Sequence, residues 1–181
     1  MDLEAISPFH DRPEELALYS PLAGTTMLEL GNKKNGGRTY KAFFEAMGYH
    51  HVSVDWNGQD GALKRDLRLP LGLGTFDMVT NIGTSEHVSD QLGVWRNIVE
   101  ACHERSVLIC TTPYPGDWTW HGDWYPQSEF YSQLAERNGF EIVRFYVAFD
   151  EPRRMWFVRM IRTEVKHFEP PDFRLMYRNH R

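Results

Sequence analysis

The chain has 181 residues, of which 41% are hydrophobic and 25% are charged. This length suits one globular domain, and this apolar content excludes disordered, collagen-like and low-complexity chains. No stretch approaches the roughly 18 uninterrupted apolar residues that a bilayer crossing needs, and the opening segment lacks the order of a secretory signal. We therefore expect a soluble, cytoplasmic protein with no membrane partner.

The formal charge of −5 is unevenly distributed. Residues 153–181 hold 8 Lys and Arg against 3 Asp and Glu, a net +5, which leaves 12 against 22, a net −10, for residues 1–152. A basic end on an acidic body is typical of contact with an anionic partner. Positive residues also protect exposed strand edges, so both interpretations stay open. The net acidity argues against a broad surface for duplex nucleic acid, which requires several clustered phosphate contacts.

The two cysteines do not form a recognisable ligand pattern. The pattern places Cys102 on a helix and Cys110 on a strand, with no paired spacing around either. A disulfide framework or a zinc finger is therefore disfavoured.

Short apolar strands alternate with amphipathic stretches along the chain. The predicted strands are 26–31, 51–56, 76–82 and 107–112. The predicted helices are 39–47, 91–102 and 128–138, the last one ending at Gly139. The second helix repeats Leu92, Trp95, Val99 and Cys102 at helical spacing.

The pattern changes after Gly139. Residues 141–149 and 155–162 are two β-rich runs with no room for a helix between them, which predicts an antiparallel hairpin. The fold class is therefore α/β, a doubly wound and mostly parallel sheet with a C-terminal antiparallel hairpin. We expect a single domain with an N-terminal helical segment at 1–24, a core at 25–163 and a basic C-terminal tail at 164–181.

Ligands of such sheets bind beyond the carboxyl ends of the strands, so the residues that follow each strand are candidates. Gly31 follows the first strand and allows close approach of a ligand, although a glycine there also suits a plain turn. Asp55 ends the second strand, 24 residues later, where an acid can accept hydrogen bonds from both hydroxyls of a ribose. Asp66 precedes a turn at Pro70 and could meet an exocyclic amine of adenine, or could be a surface acid.

These motifs, in this order, resemble the class I S-adenosylmethionine-dependent methyltransferases, which have a Rossmann-like fold. The segments that carry the resemblance are Leu28-Glu-Leu-Gly31, Val54-Asp55, Lys64-Arg-Asp66-Leu-Arg-Leu-Pro70 and Phe76 through Glu86-His87-Val88. The resemblance covers roughly residues 25–163. It departs from the family's Gly-x-Gly-x-Gly pattern, because Gly31 is followed by Asn32-Lys33-Lys34-Asn35 before Gly36 and Gly37.

The resemblance implies S-adenosylmethionine as cofactor. The residues that it assigns to cofactor binding are Glu29, Gly31, Asn32, Lys33, Asp55, Trp56, Asp66, Leu67 and Asn81. Lys33 or Lys34 could pair with the cofactor's carboxylate in place of backbone amides, although exposed loop lysines are more often only solvated.

Residues 113–126, called here the aromatic loop, hold three of the six tryptophans and follow neither a strand nor a helix pattern. Aromatic faces stack on sugars, bases or cations, which favours a loop facing the substrate. A lid whose tryptophans only pack onto the body is the alternative. The candidate substrate-binding residues are Glu86, Tyr114, Trp118, Trp120 and Trp124.

The candidate catalytic residues are His87, His121 and Asp123, which could act as bases or orient hydroxyls. His87 could equally cap the next helix, and methyl transfer to a good nucleophile can proceed by proximity and alignment alone. No spacing supports a metal site formed by His87, His121, Asp117 and Asp123, so we expect no metal.

The resemblance thus implies methyl transfer to oxygen or nitrogen of an acceptor, and the aromatic loop favours a small polar one, such as a sugar or a nucleotide. Two alternatives remain open at this point. One is a nicotinamide-dependent oxidoreductase, which the generic fold and Asp55 allow but the missing Gly-x-Gly-x-x-Gly disfavours. The other is a catalytically idle methyltransferase-like subunit that binds protein or nucleic acid through its basic end.

Overall fold

The computed structural model describes residues 25–32, 34–35, 38–149 and 152–178. The N-terminal segment 1–24, Lys33, Gly36 and Gly37 lie outside the described residues. The strands are β1 (Thr26–Leu30), β2 (Lys34–Asn35), β3 (Arg38–Thr39), β4 (His50–Asp55), β5 (Leu63–Lys64), β6 (Phe76–Ile82), β7 (Cys102–Pro113), β8 (Trp124–Pro126), β9 (Phe140–Ala148), β10 (Met155–Arg162) and β11 (Met176–Arg178). The α-helices are α1 (Tyr40–Ala46), α2 (Gln91–Glu100) and α3 (Ser128–Asn138).

The main sheet has seven strands in the order β5-β4-β1-β6-β7-β10-β9. The strands from β5 to β7 pair in parallel, while β10 pairs antiparallel with both β7 and β9. This topology confirms the predicted doubly wound sheet with a closing antiparallel hairpin. The chain builds outward from β1 in one direction to β5 and then crosses back to β6, so the order reverses between β1 and β6.

Apolar side chains cover both faces of the sheet. Along β1, Met27 belongs to one hydrophobic cluster and Leu28 to the other, because successive strand residues point to opposite faces. Helix α1 packs Phe43 and Phe44 into the cluster of Met27. On the opposite face, Trp95, Phe130 and Tyr131 of α2 and α3 pack into the cluster of Leu28. A parallel sheet buried on both faces is the arrangement that βα units produce.

Polar groups also hold the strands in register. Asp77 of β6 accepts hydrogen bonds from the amide and hydroxyl of Thr26 at 2.8 and 2.7 Å, and His103 Nε2 lies 3.2 Å from the other carboxylate oxygen. The hydrogen bonds from Thr26 lower the pKa of Asp77, with a smaller contribution from His103. This network fixes the amino ends of β1 and β6, and therefore the crevice at their carboxyl ends.

Three sequence expectations about local structure are wrong. Cys102 starts β7 rather than ending α2, because α2 stops at Glu100 and β7 begins next to Phe76 before an irregularity in the pairing. Leu92 is 39% exposed, because the buried face of α2 is centred on Val94, Trp95 and Ile98. Residues 124–126 of the aromatic loop form β8, which pairs with β11 from the far end of the chain.

Both cysteines are free and buried in the described protein. Burial raises the pKa of Cys102 to about 12, so its thiol stays protonated and unreactive at neutral pH.

The described part of the basic end makes many intramolecular contacts. Arg162 is buried and donates to the backbone carbonyls of Val99, Cys102 and Lys166 at 2.6 to 2.9 Å. Burial lowers the pKa of its guanidinium. Arg174 forms a bidentate pair with Asp172. Within the described residues, these cations are engaged by the protein itself. No helix among them combines the length and apolar character required to cross a membrane.

Candidate active site

A cavity of about 820 Å³ opens at the carboxyl ends of β1, β4, β5 and β6, where the strand order reverses. Cofactor and substrate sites usually measure about 300 to 1,000 Å³. The lining residues follow these four strands: Gly31, Asn32, Asp55, Trp56, Lys64, Arg65, Asp66, Leu67, Arg68, Gly83, Thr84, His87, Val88 and Ser89. The cavity therefore lies where open α/β sheets bind their ligands.

Asp55 ends β4 and is held by two backbone amides. Its Oδ2 accepts from the amide of Asn32 at 3.1 Å, and its Oδ1 accepts from the amide of Asn57 at 3.0 Å. The first bond ties Asp55 to the loop that follows β1, across the two adjacent strands. Each carboxylate oxygen retains a further acceptor direction. The Asp55 carboxylate is thus fixed at the wall of the cavity and can accept hydrogen bonds from a ligand.

Gly31 is required by the protein's own packing. It has a φ of +80°, and a Cβ at this position would collide with the side-chain hydroxyl of Thr84. That hydroxyl donates to the carbonyl of Leu30 at 2.7 Å and so bridges the ends of β1 and β6. The sequence predicts close approach of a ligand at this glycine. The structure adds Thr84 as a second reason, and nothing in the sequence signalled this residue.

The wall contributed by residues 64–68 carries both charge and apolar surface. Arg68 donates to both carboxylate oxygens of Asp66 at 2.7 to 3.1 Å, and these bonds lower the pKa of Asp66 to about 2. Leu67 is 7% exposed, whereas Trp56 is 78% exposed although it lines the same cavity. The arrangement offers an apolar floor, an indole face and an ionised carboxylate that already has a cationic partner.

The aromatic loop is fixed to the body at several points. Asp117 accepts a bidentate pair from Arg154 at 2.8 Å on each oxygen, and these bonds lower the pKa of Asp117. The Trp118 indole donates to the carbonyl of Arg154 at 2.6 Å. The Arg154 guanidinium stacks 4.3 Å from the Tyr114 ring centre. Tyr114 and Trp118 therefore help to anchor the loop.

The two remaining tryptophans of the aromatic loop differ sharply. Trp124 lies in β8, packs against the main hydrophobic cluster and has the Arg178 guanidinium 5.4 Å from its ring centre. Trp120 is 75% exposed and has a φ of +65°, a conformation that bulky residues rarely adopt. Of these two tryptophans, Trp120 is the one that is largely exposed to solvent.

The 3₁₀ turn Ser85–His87 follows β6 and is held by two buried amides. Asn81 donates to Ser85 Oγ at 2.8 Å and accepts from its amide at 3.0 Å. Gln91 donates to the carbonyls of Ser85 and Val88 at 2.8 and 2.6 Å. Asn81 thus positions the turn rather than lining the cavity, and the turn places Glu86 and His87 rigidly.

Glu86 lies between two histidines. His121 Nε2 is 3.6 Å and His87 Nε2 is 3.8 Å from Glu86 Oε1. The imidazole rings contact each other edge to face, with centres 4.8 Å apart. The Glu86 side chain is fully buried, whereas the His87 and His121 side chains are 46% and 37% exposed. We call these three residues the Glu86 cluster.

The aromatic loop closes directly onto the Glu86 cluster. The amide of Asp123 donates to the carbonyl of Glu86 at 2.8 Å. Gly122 lies so close that a Cβ there would stand 2.7 Å from Glu86 Cγ. The hydroxyl of Tyr125 accepts from the amide of Gly122 at 3.2 Å and donates to the carbonyl of Trp118 at 2.5 Å. These contacts bring His121 beside residues far away in the sequence.

Seven residues singled out from the sequence line the cavity: Gly31, Asn32, Asp55, Trp56, Asp66, Leu67 and His87. The other described candidates lie outside its lining: Glu29, Asn81, Glu86, Tyr114, Trp118, Trp120, His121, Asp123 and Trp124. Glu29 is a buried residue of β1, and its Oε2 lies 2.9 Å from His51 Nε2. Burial of the Tyr40 side chain, and to a lesser extent the Glu29 charge, raises the pKa of Tyr40 to about 12.

The residues that sequence reasoning missed at the cavity are Lys64, Arg65, Arg68, Gly83, Thr84, Val88 and Ser89. Lys64, Arg65 and Arg68 fall within the motif around Asp66, so their position in that motif was an available signal.

Comparisons with known proteins bear on the fold. No model of a protein family matches the chain, and neither does any curated protein sequence. Solved structures do match. The Burkholderia thailandensis 1,6-didemethyltoxoflavin-N1-methyltransferase has a TM-score of 0.62 at 13% identity, over 84% of this chain and 78% of that one. Its structure contains bound 1,6-didemethyltoxoflavin and S-adenosylhomocysteine.

Two further structures extend the comparison. The N-methyltransferase NodS from Bradyrhizobium japonicum WM9 has a TM-score of 0.60 at 14% identity, over 85% of this chain and 96% of that one. The [4+2]-cyclase SpnF has a TM-score of 0.60 at 11% identity, over 85% of this chain and 81% of that one. The chain therefore has the α/β fold of class I S-adenosylmethionine-dependent methyltransferases. The presence of a cyclase among these neighbours shows that this fold does not by itself fix the reaction.

Proposed function

We propose that the protein is an S-adenosylmethionine-dependent methyltransferase that modifies oxygen or nitrogen of a small polar acceptor. The observation that carries this proposal is the cavity at the reversal of strand order, with the Asp55 carboxylate fixed in its wall. The fold neighbours support the cofactor class, since two of their structures contain S-adenosylhomocysteine.

The residues of the cavity fit the cofactor in kind. Asp55 offers acceptor directions for the hydroxyls of a ribose. Leu67 and the exposed indole of Trp56 offer apolar surface for a base. The region of Gly31 and Asn32 would face the amino-acid end, and its backbone runs close to the cavity. Asp66 remains a partner for an exocyclic amine only if its contacts with Arg68 rearrange or are shared.

When bound, the cofactor supplies an electrophilic methyl group on a sulfonium. The chain's contribution is to hold an acceptor in line with that group and to exclude water from it. His87 is placed for this, because it lines the cavity and also belongs to the Glu86 cluster. Trp120 offers an exposed indole on the same loop as His121, which suits a planar or sugar-like acceptor.

Calorimetric titration with S-adenosylmethionine, S-adenosylhomocysteine and NAD tests the proposal. We expect both S-adenosyl compounds to bind with one equivalent and NAD to bind far more weakly. Preferential binding of NAD would favour an oxidoreductase instead. Absence of binding by all three would favour a binding subunit that carries this fold without its cofactor.

A further inference from the structure

The Glu86 carboxylate is buried and has no hydrogen-bond partner among the described residues. Its side chain has no solvent exposure, and neither carboxylate oxygen accepts a hydrogen bond from any residue in the described ranges. Burying a polar group in this state is unfavourable, and more so when the group is charged. Buried carboxylates in proteins therefore have partners that compensate them, either protein donors or metal ions. Here two imidazole nitrogens, from His87 and His121, lie 3.8 and 3.6 Å from Glu86 Oε1.

The geometry of those nitrogens is close to that of a metal site. One ligand atom from each of Glu86, His87 and His121 can be chosen so that all three lie within 4.8 Å of one another. Ligand atoms about 2.1 Å from a tetrahedral zinc ion stand about 3.4 Å apart. The distances of 3.6 and 3.8 Å from Glu86 Oε1 exceed this value only slightly. The ligand nitrogens of the two partly exposed imidazoles are within 4.8 Å of each other, so the rings must turn toward each other to hold one ion.

The supporting structure around these residues is rigid. The 3₁₀ turn that carries Glu86 and His87 is held by Asn81 and Gln91. The backbone that carries His121 is held against the carbonyl of Glu86 by the amide of Asp123. Metal sites require this support from surrounding groups to keep their ligands oriented.

We propose that Glu86, His87 and His121 bind a divalent transition-metal ion of the zinc type. Two imidazoles and one carboxylate are ligands that zinc accepts, and a three-ligand set leaves a coordination position open for water or substrate. Because His87 also lines the cavity, an ion held by these residues would lie beside that cavity.

The proposed function gives this site a substrate class, and this second step rests on that function. A metal ion with an open coordination position favours an acceptor with a hydroxyl oxygen, because the ion would bind the oxygen and lower the pKa of the hydroxyl. An oxygen acceptor is thereby favoured over an amine, which is protonated at neutral pH and competes poorly for the metal.

Zinc titration of the tag-free full chain tests the metal site. The protein is first treated with a chelator, which is then removed, and zinc binding is followed by calorimetry. Cobalt is added in a parallel experiment, since its visible absorption reports nitrogen and oxygen coordination. We expect one equivalent of zinc to bind, and cobalt to give the bands of a four- or five-coordinate site.

Three variants locate the ion. His121→Asn and Glu86→Gln should each weaken zinc binding at least about tenfold, since even the loss of a residue that only supports a ligand has an effect of about 10- to 100-fold. His167→Asn is the matched control, because His167 is exposed and belongs to the other end of the fold. His121 is partly exposed, so its variant should fold even if Glu86→Gln does not.

Absence of zinc binding, or equal binding by wild type and both cluster variants, would overturn the site. Titration with S-adenosylhomocysteine on the same samples separates this failure from failure of the proposed function. Zinc bound without S-adenosylhomocysteine binding would leave the metal site standing and refute the methyltransferase assignment. Binding of S-adenosylhomocysteine without binding of zinc would refute only the metal site.

Discussion

Replacing Asp55 tests the proposed cofactor pocket most directly. In the structure each Asp55 oxygen holds one backbone amide, from Asn32 and from Asn57, and retains one direction for a ligand. Hydrogen bonds to a charged acceptor contribute about 1.5 to 3 kcal/mol. We therefore expect Asp55→Ala to weaken S-adenosylhomocysteine binding by about 10- to 150-fold, the range that corresponds to one such bond.

The same change removes two internal hydrogen bonds, so its effect on folding must be separated from its effect on binding. Asp55 is only partly buried, and water can replace its carboxylate at both amides. We expect a stability loss of about 1 kcal/mol, or a Tm decrease of about 2 to 4 °C. Asp55→Asn keeps one acceptor oxygen and should give an intermediate affinity.

The assay is calorimetric titration of S-adenosylhomocysteine, accompanied by a thermal melt of each variant. Glu104→Gln serves as the control, because it removes an exposed carboxylate outside the cavity lining. If Asp55→Ala binds as tightly as wild type while remaining folded, the carboxylate does not contact the ribose and the proposed orientation of the cofactor is wrong.

Three further predictions concern two tryptophans of the aromatic loop, Gly31 after β1, and Asp77 of β6. Trp120→Ala should leave Tm nearly unchanged and reduce acceptor turnover, because Trp120 is exposed. Trp124→Ala should lower Tm by on the order of 10 °C, because Trp124 packs against the main hydrophobic cluster. Thermal scans and turnover assays check both, and the reverse pattern would contradict the exposed position of Trp120 and the packed position of Trp124. Gly31→Ala should destabilise the fold by about 1 to 3 kcal/mol through its positive φ, with a further loss from the collision with Thr84. Because Thr84→Ala removes the collision but also the Thr84–Leu30 hydrogen bond, urea unfolding of both single variants and the double variant is compared, and losses that simply add would refute the contact. The lowered pKa of Asp77 stabilises the fold above the unfolded carboxyl value of about 3.9, and this advantage over Asp77→Asn should shrink as the pH falls through the lower folded pKa; a difference in urea stability that stays constant from neutral pH down to that range would contradict this.

The positions of the main strands along the chain could be predicted because most have a recognisable boundary in the sequence. β6 and β10 were predicted with the bounds that the structure shows, and α3 with both of its ends, since apolar runs were bordered by glycine, proline or polar residues. Because ligands bind at the carboxyl ends of parallel strands, Gly31, Asp55 and Asp66 could be predicted as candidates, and all three line one cavity.

Contacts between distant segments could not be predicted from local patterns. β8 exists because Tyr125 pairs with Tyr177, and no local signal links these positions. The long β7 begins at Cys102 because that residue pairs with Phe76, although the preceding helical spacing continues through it. The bridge from Thr84 to Leu30 likewise joins two strands that become neighbours only in the folded sheet.

The Glu86 cluster depends both on a local sequence pattern and on a contact between distant segments. Glu86 and His87 stood out because they follow a strand, but His121 joins them only because Gly122 lets the aromatic loop pack against Glu86. The cavity wall around Asp55 belongs to the ends of β1, β4 and β5, whereas the cluster belongs to the end of β6 and this loop. Changes at His121 and at Asp55 should therefore act independently, one on the metal and one on the cofactor. Since proteins with this fold include a cyclase as well as methyltransferases, we expect the reaction of this chain to depend more directly on the Glu86 cluster than on the shared sheet.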